Sequence, residues 1–150
     1  MSVLKCAGVL SSCVALLHLV VFFVGARAYR YFGAGEEMAR LAEQRSPMPG
    51  LVTAGLTVLF AVWAAYAFSG AGLLRQLPLL KTGLIVIGSI YTLRGLALGP
   101  EVVWFYSGHR AVPPRELLFS AVSLLTGLAY LVGTRQAWGH LRRRGQWSIQ

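Results

Sequence analysis

The chain has 150 residues, of which 56% are hydrophobic and only 13% charged, with a formal net charge of +9. That composition excludes an ordinary water-soluble domain and points to a lipid bilayer. It does not suggest a nucleic-acid binder, because the basic residues flank apolar runs, where anionic lipid headgroups are the natural partners.

The first element is an uncharged run from Cys6 to Ala26. It ends in the small-x-small triplet Ala26-Arg27-Ala28, but it exceeds the about 7 to 15 apolar residues of an export signal and is expected to remain as a helix over about residues 4–26. Gly8, Ser11 and Ala15, followed by His18, recur on one face at the three- and four-residue spacings that let helices approach closely in lipid. Cys6 and Cys13 are two turns apart, about 10 Å along the axis, too far for a disulfide. Gly33 and Gly35 then break the helical pattern, and Glu36–Gln44 reads as a short amphipathic helix in the first outer loop, with Met38, Leu41 and Ala42 on its apolar side.

Three further apolar stretches follow, expected as helices over about residues 50–74, 77–98 and 116–135, with a basic tail over 136–150. Each is near the about 20 residues needed to cross a hydrocarbon core of about 30 Å. The runs are continuous rather than alternating, so helices are favoured over barrel strands. In the third, Gly88, Tyr91 and Gly95 share a face, and Gly95 with Gly99 forms a GxxxG step; in the fourth, Glu116, Ser120, Ser123, Gly127, Tyr130 and Thr134 form a largely polar stripe. The expected architecture is an all-α, single-domain, four-transmembrane-helix bundle.

An even number of crossings puts both termini on one side. All five acids, Glu36, Glu37, Glu43, Glu101 and Glu116, fall on the opposite side. Lys and Arg are nearly level between the sides, but the short clusters Arg75 to Lys81 and Arg142, Arg143, Arg144 tightly flank the helices on the terminal side. The positive-inside rule therefore places both termini in the cytoplasm of a cell inner (plasma) membrane protein, with these five cations at the headgroups. The aromatic residues Tyr29, Tyr31, Phe32, Trp104, Phe105 and Tyr106 read as an outer interfacial belt.

No Walker A, GxSxG, HExxH, CxxC or GxGxxG element occurs, and nothing calls for a metal or cofactor. The one constellation with chemical potential is His18, Tyr91, Arg94, Glu116 and Ser120, all expected in the outer halves of their helices, with Glu101 at its rim. An intramembrane arginine costs about 2.5 to 3.5 kcal/mol at a helix centre and needs a headgroup, a cavity or an acidic partner. The leading expectation is a non-enzymatic accessory or oligomer-forming subunit, paired with itself or with a larger membrane partner. The alternatives are a small transporter or channel for an anionic or amphipathic solute, using a His18/Arg94/Glu116 cavity, and an enzyme acting on a lipid or quinone. In size the chain resembles four-helix drug exporters, but those depend on a glutamate in the first helix, where this sequence has none. In outline it is also similar to small four-helix enzymes of glutathione and eicosanoid metabolism, without their polar motif.

Overall fold

The computed structural model describes residues 2–108 and 111–144, with the side chains of 140–144 outside the described set. The described residues form helices α1 (Ser2–Val24), α2 (Ala26–Phe32), α3 (Glu36–Glu43), α4 (Met48–Gly70), α5 (Leu80–Gly95), α6 (Leu98–Ser107) and α7 (Pro114–Arg144), with no strand among them. Four segments are long and apolar enough to cross a membrane: Ser2–Val24, Met48–Gly70, Leu80–Ser107 and Pro114–Gly139. The chain divides into two compact units, Val9–Ala64 and the combination of Met1–Gly8 with Ala65–Gln150.

Within Val9–Ala64, α1 stops earlier than the glycine pattern at 33 and 35 suggests. Gly25 takes φ 71°, a left-handed value that a side chain resists, and the chain restarts at once as α2. A second left-handed glycine, Gly33 at φ 78°, ends α2, and its N–H bonds the Tyr29 carbonyl. Helix α3 then folds back so that Ala39, fully buried, packs with Val21, Ala28 and Tyr29, while Met38 and Ala42 close the cluster. The Arg30 guanidinium fastens the outside: Nε and Nη2 donate to Glu36, and Nη1 donates to Glu43 Oε1 at 2.6 Å. Those hydrogen bonds hold both carboxyls below the usual carboxylate range. Beneath them the hydroxyls of Thr53 and Tyr29 are hydrogen-bonded at 3.1 Å, and Thr53 also donates to the Pro49 carbonyl at 2.8 Å.

In the other unit the first turns of α1 are held by Leu4, which is fully buried and packs against both Gly70 and Gly133. Gly8 faces the ring of Phe68, and Gly83 faces that of Tyr66. Ser69 organises the turn between α4 and α5, because its hydroxyl donates to the Arg75 carbonyl at 2.9 Å and accepts the Leu77 N–H at 3.1 Å.

The main seam of this unit joins α5 to α7 and is built from glycine on both sides. A Cβ at Gly95 would stand 2.5 Å from the Leu124 Cα, and one at Gly127 would stand 2.5 Å from the Thr92 amide nitrogen and 2.9 Å from the Gly88 carbonyl oxygen. One at Gly88 would meet Tyr130 and Leu131 at 2.9 Å. Close backbone approach and its dispersion energy hold such a seam. Tyr130, fully buried, stacks on Tyr91 with centroids 5.9 Å apart.

Two further elements differ from the sequence expectation. The third apolar stretch is interrupted at Leu96–Ala97 and resumes as α6, with Pro100 in the first turn, where its missing N–H has no helical acceptor to lose. Gly99 therefore lies beyond the break, exposed and with nothing within 4 Å of its Cβ position, and does not extend the Gly95 face. The last helix runs on to Arg144 through the region expected as tail, since Arg, Gln, Ala and Leu there are good helix formers with no breaker before Gly139.

Candidate functional site

Arg94 sits in the last turn of α5, beside the Gly95 contact with α7. Close approach at Gly95 brings Ser120, one turn before Leu124, within reach, and Arg94 Nη1 donates to the Ser120 hydroxyl at 2.7 Å. Glu101 lies in the first turn of α6, and its Oε1 is 3.8 Å from the same Nη1. Glu101 is 13% exposed and Arg94 50% exposed. The second carboxylate oxygen, Oε2, is buried and has no hydrogen-bond partner. The guanidinium donates only through Nη1 among the described residues, which leaves its Nε–Nη2 edge available to an oxyanion.

The other sequence-derived members divide as follows. Glu116 is half-buried in the first turn of α7, one turn before the fully buried Ser120. Tyr91 is occupied by its stack on Tyr130. His18 belongs to the unit Val9–Ala64, where its Nδ1 donates to the Val14 carbonyl at 2.8 Å and its ring lies 4.8 Å from that of Phe60. The three brought together are Arg94, Ser120 and Glu101. Among the described residues no three His, Cys, Asp or Glu side chains are grouped to hold a metal ion.

Of the residues assigned to helix packing, Gly8, Ser11, Ala15, Gly95, Gly127 and Tyr130 are buried, and Ser123 is half-buried with its hydroxyl bonded to the Phe119 carbonyl. At the basic end, Arg75 is exposed, and the Lys81 ammonium lies 4.6 Å from the centroid of the Trp138 ring, a cation–π contact. The side chains of Arg142, Arg143 and Arg144 lie outside the described residues. Sequence spacing gave no sign of the Arg30 fork, because its two carboxylates reach it across a glycine turn. Its signal was compositional: one arginine followed by three glutamates around Gly33 and Gly35. Comparison with protein-family models, with curated proteins and with solved structures finds no match to this chain.

Proposed function

We propose that this is a non-enzymatic, multi-pass protein of the plasma membrane that works by side-to-side association, either with copies of itself or with a larger membrane partner. The observation that carries this reading is the outward face of α4. Met48, Leu51, Gly55, Val58 and Val62 recur there at alternating three- and four-residue spacing, all exposed, and nothing lies within 4 Å of the Gly55 Cβ position. A glycine in a spanning helix weakens it and gains nothing from lipid, whereas it permits close approach of another helix. Gly88, Gly95 and Gly127 already serve that purpose within the chain. In this reading both termini are cytoplasmic, the four apolar segments form a bundle, α3 lies at its outer mouth, and Arg75, Lys81, Arg142, Arg143 and Arg144 contact anionic headgroups.

Native mass spectrometry from a mild detergent tests the proposal. The wild-type protein should appear as an oligomer or with a co-purified membrane protein, and Gly55→Leu should release a folded monomer. A wild-type protein that is monomeric and alone under these conditions would refute it. An alkaline phosphatase fusion after Gln150 should be inactive, and an active fusion would reverse the orientation.

A second reading is favoured by Arg94, whose half-exposed guanidinium presents an unused edge beside an incompletely bonded carboxylate. That arrangement suits reversible binding of an anionic or amphipathic solute, as in a small transporter. Purified protein in proteoliposomes should then carry an anion flux that Arg94→Gln removes.

A further inference from the structure

We infer that the free edge of Arg94 is a binding site for a tetrahedral oxyanion, either a phosphodiester headgroup or a free oxyanion, and that Glu101 takes up a proton when the anion binds. The inference rests on the second reading above and specifies its ligand chemistry and its coupling. Arg94 has one nitrogen, Nη1, committed to Ser120 and directed towards Glu101, while Nε and Nη2 form the parallel pair of donors that matches two oxygens of a phosphate or sulfate group. Ser120 is fully buried and holds the Nη1 end of the guanidinium, which leaves the opposite edge facing away from it.

Glu101 is the internal counter-ion of this fork, but a poorly bonded one. Its Oε1 stands beyond hydrogen-bond distance at 3.8 Å and its buried Oε2 has no donor. An oxyanion on the outer edge of Arg94 would place a second negative charge within a few ångströms of that carboxylate, which is 13% exposed and only partly screened by water. Transfer of one proton from solvent to a Glu101 oxygen removes the repulsion, so anion and proton enter together. The balance is simple: one anion and one proton are taken up, and no covalent bond other than the carboxyl O–H is made. The titratable and charged groups on the surrounding elements are Arg94 on α5, Arg115 and Glu116 in the first turn of α7, and Tyr106 on α6 itself. Arg94 is in ion-pair contact with Glu101.

The experiment measures binding to the full-length protein in dodecyl maltoside by titration calorimetry at pH 5 and pH 8. Sodium sulfate is the free-oxyanion probe and phosphatidylglycerol the headgroup probe, and neither titrates in this range. Binding should be weaker at pH 8 by roughly tenfold or more, as proton uptake linked to anion binding requires. Glu101→Gln should bind as tightly at pH 8 as at pH 5, and Arg94→Gln should not bind. If Arg94→Gln does not fold, Ser120→Ala replaces it and should weaken binding of the same probe while keeping the pH dependence. Binding of sulfate identifies a free-anion site, and binding of phosphatidylglycerol alone identifies a headgroup site. If neither probe binds, or Arg94→Gln binds like wild type, the site itself is refuted. If Arg94 is required but Glu101→Gln keeps the pH dependence, or Glu116→Gln abolishes it instead, the proton coupling is refuted and the anion site stands.

Discussion

Replacing Gly95 by alanine should open the α5–α7 seam. The added Cβ would lie 2.5 Å from the Leu124 Cα and 2.6 Å from its Cβ, against an ordinary carbon–carbon separation of about 3.5 to 4.0 Å. The obstacle is helix backbone on both sides, so no rotamer change relieves it, and the two helices have to part by about 1 Å. A gap of that size forfeits about a quarter to a half of each dispersion contact along the seam, including those at Gly127 and Gly88. Overpacking of this kind costs about 1 to 3 kcal/mol. Alanine also gains up to about 1 kcal/mol over glycine in a helix, and Gly99→Ala supplies the control for that gain, because nothing lies within 4 Å of Gly99. The two variants should therefore differ in stability by about 1 to 3 kcal/mol, with Gly99→Ala neutral or slightly stabilised. Reversible unfolding in mixed micelles of increasing sodium dodecyl sulfate fraction, followed by tryptophan fluorescence, measures the difference. Equal midpoints for the two variants, or a lower midpoint for Gly99→Ala, would refute the packing argument.

Ser69→Ala leaves the Leu77 N–H and the Arg75 carbonyl without their shared hydroxyl. The loss should be about 1 kcal/mol in the same unfolding assay, together with faster proteolysis after Arg75. Tyr29→Phe removes the buried bond to Thr53 and should cost about 1 kcal/mol, while Thr53 keeps its bond to Pro49; a variant as stable as wild type would count against a structural role for that hydroxyl. Because Arg30 holds Glu36 and Glu43 below their ordinary range, these carboxyls bind protons less tightly in the folded chain than in the unfolded one. The clasp over α3 is therefore fully present above the ordinary carboxylate range and is lost as pH falls through the folded values. Amide exchange in α3, corrected for its intrinsic pH dependence, should show protection at about pH 6 that declines by about pH 3, and protection unchanged between the two would contradict this.

The apolar segments were legible because lipid imposes a length and a near absence of charge, and both can be read directly from residues 6–26 or 117–134. The glycine faces were partly legible: Gly88, Gly95 and Gly127 recur at helical spacing, and spacing survives folding as long as the helix does. Gly99 shows where that inference stops, since the helix ends before it and periodicity no longer says which way a residue faces. The break does have a breaker behind it, because Pro100 lacks the N–H that would bond the Leu96 carbonyl, but that signal marks a helix end without saying that a new helix starts at Leu98. Arg94 was identifiable as costly, but its partners were not. Spacing sets it about 100° away from the Gly95 face, and only the length of its side chain and the close approach of α7 bring Ser120 within reach.

The pairing of α5 with α7 also orders the events of biosynthesis. The chain leaves the ribosome N-terminus first, so α5 is complete while the helix that covers it has yet to be made. Until Pro114–Arg144 has emerged, the bare backbone around Gly88 and Gly95 and the guanidinium of Arg94 lack the surfaces that later receive them. An incomplete chain stopped before Pro114 thus displays a small-residue groove and an arginine without its serine. Helix α7 is the element that closes the seam α5 begins.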